Sequence, residues 1–291
     1  MPLSDQLVTS AQRFDDGASW RVEIPSVESP QALMAVIDEA RLRRVPVHRV
    51  SQGTGMTLML DSEIEAMVEL GSENDIEVAL FLGPRAGFDV GASVTSPDGG
   101  GLWTALRGER QLRQALEEVD RAVALGARSF LVGDLGALAE LGRRRADGRL
   151  PADLRLKVSA MAAPANPAAA AVMSELGADT INVHSDHSIE EFAEFRAAMT
   201  AVLDVYVEAP DNLGGFVRYH EIAELVRVAA PVHLKFGLRN VQSVFPAGGH
   251  LAAVVESAVR EKVRRAQIGL EHLQRGRPAS PSRASRGFAS T

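Results

Sequence analysis

Two lysines carry the most chemically suggestive pattern in this chain, because Lys157 in LRLKVSA and Lys235 in PVHLKFG each interrupt a short apolar run. Ammonium groups that share one desolvated cavity depress each other's pKa, which frees an amine to act as a base or Schiff-base nucleophile. Glu23 in WRVEIPS and Glu208 in LDVYVEA interrupt two further runs and would supply general acid-base carboxylates. The same lysines suit a second role, holding a substrate carboxylate or phosphate. A rival chemistry is a divalent metal ion on Glu23, His48 and Glu208, although no HExxH-type spacing joins them. The cofactor expectation is therefore none, or one divalent ion.

These residues must be positioned by the elements that carry them. Eight Val/Ile/Leu-rich runs alternate with amphipathic helical patterns: residues 20–26, 45–51, 77–83, 128–134, 154–160, 179–184, 203–209 and 231–237. Ser29-Pro30 and Asn166-Pro167 read as helix starts, with a capping side chain ahead of a proline in the first turn. Gly126 and Gly177 read as left-handed helix stops. Eight strand-helix units over some 250 residues match a single-domain α/β fold, the (β/α)8 TIM barrel. The expected organisation is an N-terminal extension over 1–19, the barrel over 20–274 and a disordered basic tail over 275–291, where Arg, Ser, Pro and Gly leave almost nothing to bury. No GxGxxG or GxxxxGK[ST] follows a strand, so neither dinucleotide nor P-loop binding has support.

In such a barrel strand side chains alternate between the helix layer and the interior. Assigning Val22, Ile24, Leu156, Val158, Ile181, Val183, Val205, Val207, Leu234 and Phe236 to the helix layer turns Glu23, Lys157, Asn182, His184, Tyr206, Glu208 and Lys235 inward, toward the end where barrel enzymes place their chemistry. The second run leaves His48 and Arg49 as alternatives for the inward position. Arg21, Glu77, Arg155, Asp204 and His233 read as a buried ion-pair network at the floor. After the seventh run Asn212, Gly214 and Gly215 could offer N–H groups to an anion, joined by Arg239 after the eighth. The long connection from Pro84 to Glu109, with Arg85 and Trp103, reads as a lid that would add Arg85 to the substrate-binding set, with a disordered surface excursion as the alternative.

Composition narrows the functional classes. The 291 residues include no cysteine, which excludes disulfides, a thiolate nucleophile, Cys-ligated zinc and a cysteine-bound iron-sulfur cluster. A net charge of -7 gives phosphate-backbone binding little support, so no nucleic-acid partner is expected. No apolar stretch is long enough for a membrane span, and a cytoplasmic protein acting on a small-molecule substrate, with a homo-oligomer as an option, is the expectation.

The segments VEIPSVESP, VPVHRVSQGTG, KVSAM and DVYVEAPDNLGGFVRYHEIAELVRVAAPVHLKFGLRN resemble barrel proteins of the collagenase-like peptidase family U-32, over roughly residues 20–274 and closest to a bacterial branch without the cysteines. The resemblance implies a barrel and a peptidase label. The family's Glu-x-Phe-x-His-Gly-x-x-Cys signature has no counterpart here, so no catalytic residue is carried over by motif. The expected function is lyase, aldolase or isomerase chemistry on a small anionic metabolite. The alternatives are a peptidase or hydrolase, metal-assisted in one form, and a non-catalytic ligand-binding barrel.

Overall fold

The computed structural model describes residues 7–83, 87, 92–97 and 99–276. Parallel strands β1 (Trp20–Pro25), β2 (Arg49–Ser51), β3 (Glu77–Phe81), β4 (Ser129–Val132), β5 (Arg155–Val158), β6 (Thr180–Asn182), β7 (Val202–Glu208) and β8 (Val232–Phe236) close into a barrel in sequence order. This is the (β/α)8 TIM barrel. The returning helices are α1 (Pro30–Arg43), α2 (Asp61–Glu73), a short α3 (Ala92–Thr95), α4 (Gly108–Ala124), α5 (Leu135–Ala146), α6 (Pro167–Glu175), α7 (Ile189–Ala198), α8 (Ile222–Ala229) and α9 (Ala252–Arg275). Among the described residues no helix is long and apolar enough to cross a membrane.

Local chemistry sets the helix ends. Ser29 Oγ accepts from Ala32 N and Asn166 Oδ1 from Ala169 N, each ahead of a proline. The aliphatic face of each strand is buried under this helical layer, with Val22, Ile24, Leu156, Ile181, Val205, Leu234 and Phe236 at or near zero exposure. Gly269 lets α9 lie close on β8, since a Cβ there would fall 2.4 Å from the Phe236 ring. Of the tail expected over 275–291, Arg275 closes α9 and Gly276 follows it, and residues 277–291 lie outside the described residues.

Strand register gathers the polar side chains. Glu23 is level with Arg49 on one side and Lys235 on the other, Lys157 with Thr180, Asn182 with Asp204, and Tyr206 with Lys235. The N-terminal segment seals the opposite end. Ser10 N bonds Arg227 O at 2.9 Å, the Phe14 ring meets His233 edge-on at 5.1 Å, and Arg21 lies 4.2 Å over Phe14. Arg21 also pairs with Asp16 at 3.4 Å and is partly exposed, and Arg155 is exposed, so neither joins a buried floor network.

Candidate active site at the C-terminal mouth

An ion cluster fills the middle of the barrel. Arg49 Nε and Nη2 donate to Glu23 Oε2 at 2.9 and 2.7 Å, and Nη2 also reaches Asp204 Oδ1 at 2.5 Å. Lys157 Nζ donates to Glu23 Oε2 at 2.8 Å and to Asp204. Thr180 Oγ1 donates to Asp204 Oδ2 at 3.0 Å, and Ser51 Oγ to Glu23 Oε1. Burial alone would raise both carboxyls, but Arg49 and Lys157, joined at Glu23 by Lys235, hold them below their ordinary range. Lys157 moves the other way. Burial and the neighbouring Arg49 guanidinium push its amine down to about 8, against the pull of Asp204 and Glu23.

Above this cluster lies a cavity of about 400 Å³ at the C-terminal mouth, a volume suited to a small ligand. Its floor holds Lys235, Tyr206, Ser51 and Ser159, and its walls are largely apolar, with Phe81, Trp103, Leu131, Met161 and Phe245. Lys235 Nζ donates to Asn182 Oδ1 at 2.6 Å, lies 3.4 Å from Glu23 Oε1 and sits 4.2 Å from the Tyr206 ring centroid. Asn182 is itself held by donating to Val158 O at 2.5 Å. Burial, then Glu23 and Asp204, raise the Tyr206 phenol above its ordinary range, so it stays protonated. The two lysines are therefore stacked in depth. Lys235 faces the cavity, and Lys157, 1% exposed, lies behind Glu23 outside the cavity lining.

Several expected site residues are placed elsewhere. A β-bulge between Tyr206 and Glu208 breaks the alternation on β7, so Glu208 sits level with the outward Phe236 and turns toward α9. Its Oε2 accepts from the Tyr219 hydroxyl at 2.6 Å and its Oε1 from Arg239 N at 2.9 Å, which makes it a clamp on the β7 and β8 loops rather than a carboxylate of the cavity. His48 precedes β2 at the N-terminal side, where Nδ1 accepts from Val22 N at 3.1 Å; Arg49 is the inward residue, enclosed in the cluster rather than exposed to substrate. Glu23, His48 and Glu208 thus do not meet, and among the described residues no group of three His, Asp or Glu side chains is arranged for a metal ion. His184 lies beyond the end of β6, exposed and outside the cavity lining, its ring 5.9 Å from His187.

The expected anion anchor is also occupied. Arg239 Nε donates to Asp211 Oδ1 at 2.9 Å, Asp211 Oδ2 accepts from Asn240 N at 2.5 Å, and the guanidinium covers Gly215, where a Cβ would sit 2.9 Å from Cζ. Gly214 is exposed, and neither glycine nor Arg239 lines the cavity. Asn212 does line it, as does Trp103 from the long connection; Arg85 lies outside the described residues.

No protein-family model and no curated protein matches the sequence. Solved structures of low identity do match. A putative fructose-1,6-biphosphate aldolase from Coccidioides immitis is 12% identical over 88% of this chain and 91% of that chain, with a TM-score of 0.54. A U32 peptidase is 21% identical over 68% and 73%, with a TM-score of 0.43. N-(5'-phosphoribosyl)anthranilate isomerase from Pyrococcus furiosus is 14% identical over 85% and 98%, with a TM-score of 0.42. At such identities the likeness is one of fold.

Two cavity residues come from outside the strands, where side-chain alternation carries no signal. Lys262 of α9 and Gln52 just after β2 both line the cavity and are buried. Val255, Ala258 and Lys262 of α9 line the cavity together, a spacing of three and four that marks one helix face. A lysine in line with apolar residues on a helix was the available signal.

Proposed function

We propose that the protein is a lyase, aldolase or isomerase that acts on a small anionic carbonyl metabolite, with Lys235 as the amine nucleophile. The observation that carries this reading is the placement of the Lys235 amine at the floor of a largely apolar cavity, between Asn182, Glu23 and Tyr206. The unprotonated amine adds its electron pair to the substrate carbonyl carbon, and the carbonyl oxygen leaves as water after taking up protons. The resulting C=N⁺ linkage accepts the electron pair of an adjacent C–C or C–H bond as that bond breaks. A proton taken up at the enamine carbon restores C=N⁺, and water then releases the carbonyl product and the amine. Glu23 touches both lysines and Ser51, and in this reading it moves protons at the Lys235 nitrogen while Lys157 and Arg49 hold it in place. Removal of Lys157 would therefore abolish activity through Glu23.

Borohydride treatment of the protein with a panel of small oxo-acids, aldehydes and phosphorylated ketones tests this. The expected result is a reduced adduct mapped to Lys235 by peptide mass spectrometry. No adduct, or one on another lysine, removes the reading. Peptidase U-32 membership is the other functional proposal, supported by the segments from VEIPSVESP to HLKFGLRN; metal-assisted hydrolysis has no ligand trio among the described residues to build on.

A further inference from the structure

Lys262 presents a buried charge that the cluster in the barrel does not use. Its residue is 5% exposed, and Nζ donates to Pro25 O at 2.8 Å, one bond for a group with three donors. It forms no ion pair among the described residues. The nearest acid in its field, Glu28, is committed to the β2 loop, with Oε1 accepting from Gly53 N at 2.9 Å and Oε2 from Thr54 N at 2.8 Å. A desolvated ammonium with one carbonyl acceptor and no carboxylate in contact leaves N–H donors unmet, a cost that Glu28, not in contact, offsets only in part. Burial accordingly pushes the amine down to about 8.

A second unmet group lines the same cavity. Gln52 is fully buried, its Oε1 accepts from Gly55 N at 3.0 Å and Phe81 N at 3.4 Å, and its Nε2 has no partner among the described residues. Strand register brings the two to the same end of β1 and β2. Pro25, whose carbonyl Lys262 holds, is level with Ser51, and Gln52 is the next residue. Next to Pro25, Ser26 adopts a left-handed backbone (φ 58°), a strained state that tends to collect at ligand sites. Lys262, Gln52 and Ser26 all line the cavity whose floor is Lys235.

We propose that Lys262 and Gln52 form a carboxylate subsite in the wall of the cavity. One ammonium and one amide N–H match the two oxygens of a single carboxylate; a phosphate dianion asks for more donors, and the loop that commonly supplies them is closed by Asp211 and Arg239. Resting on the reading of Lys235 as the amine nucleophile, this makes the substrate a small oxo-carboxylate, held by its acid group on α9 and the β2 loop with its carbonyl presented to β8.

Binding of propionate, which has the carboxylate but no ketone, tests the subsite separately from the amine chemistry. Titration of the full-length protein with propionate and with inorganic phosphate, followed by calorimetry and thermal shift, is expected to show propionate binding to wild type and to Lys235→Met. Lys262→Met should weaken it roughly 10- to 100-fold, the loss of a charge-assisted hydrogen bond, and Gln52→Leu by roughly 5-fold. Lys262→Arg, which keeps the charge, should retain more binding than Lys262→Met. Unchanged propionate binding in Lys262→Met, no saturable binding in wild type, or tighter binding of phosphate than of propionate each overturns the subsite. If Lys262→Met fails to fold, Gln52→Leu decides alone, with unchanged affinity counting against the proposal. Failure of the Lys235 reading shows independently, as absence of a borohydride adduct while propionate still binds.

Discussion

The cluster inside the strands and the cluster in the loops after β7 and β8 are built from the same residue types, yet they differ in what their charges face. Glu23, Arg49, Lys157 and Asp204 are removed from water and touch one another, with Lys235 above them at the cavity. Asp211 and Arg239 are about half exposed and paired with each other, while the buried Glu208 turns to Tyr219 and the β8 loop. Desolvation separates the two. Inside, every removed partner leaves a charge stranded in low dielectric; in the loops, water replaces most of what a mutation takes away. Only the first cluster therefore has the electrostatic leverage to shift an amine toward neutral pH, as it does at Lys157.

The largest effects should fall on the inner cluster. Lys235→Met is expected to lower turnover roughly 1,000-fold or more while the protein still melts cooperatively, because the proposed nucleophile is gone. Lys157→Met should do more to the fold, leaving Glu23 and Asp204 short of a cation at a cost of about 3–5 kcal/mol in chemical denaturation. In the wild type, kcat/KM should fall as pH rises through about 8, where Lys157 loses the charge with which it holds Glu23, and a profile with no such limb would remove that positioning role. A fully active, fully stable Lys157→Met protein would erase the contrast between the clusters.

Glu208 sharpens the same contrast from its boundary. Glu208→Gln is expected to cost about 1–3 kcal/mol, because Tyr219 and Arg239 N lose a charged acceptor, without removing borohydride trapping at Lys235. Loss of trapping would return Glu208 to the cavity chemistry. The reason its role was illegible in the sequence is specific. Alternation by twos identified Glu23, Lys157, Asn182, Asp204, Tyr206 and Lys235 as inward, and all six are buried as that argument requires. It failed at Glu208, past a bulge, at His184, past the last paired residue of β6, and at Arg21 and Arg155, near strand starts that stay open to water. Strand order and helix starts were legible because periodicity and caps are local signals. Lys262 shows in the sequence only as a lysine on an apolar helix face and Gln52 not at all, because that face and the β2 loop reach the cavity only through the closed fold.

Acid should act on the inner cluster before it reaches the loops. His233 lies with Nδ1 2.9 Å from Asp204 Oδ1, and burial together with Arg49 pushes its imidazole down to about 4. Unfolded chains take up a proton at this histidine below about 6.5, whereas the folded protein resists until about 4. The unfolded state thus binds more protons in that window, and stability should fall as pH drops from about 6.5 to 4, by about 1–3 kcal/mol from this group. Glu23 and Asp204 add to the loss at lower pH, since their folded values lie below their unfolded ones. Urea midpoints across pH 4–7 should therefore slope less in His233→Gln than in wild type; equal slopes would place the acid sensitivity elsewhere.

The smallest effect belongs to the residue that the sequence marks most plainly as an anion anchor. Arg239 is 50% exposed and bonded to Asp211, so Arg239→Ala removes a solvent-screened pair and some packing over Gly215. A change in melting temperature of about 2 °C or less is expected. Propionate binding and trapping at Lys235 should be unaltered, because the guanidinium does not line the cavity. A several-fold loss of propionate affinity in Arg239→Ala would mean that the guanidinium leaves Asp211 when ligand arrives. The loop cluster would then be part of the site, and desolvation alone would no longer separate the two regions.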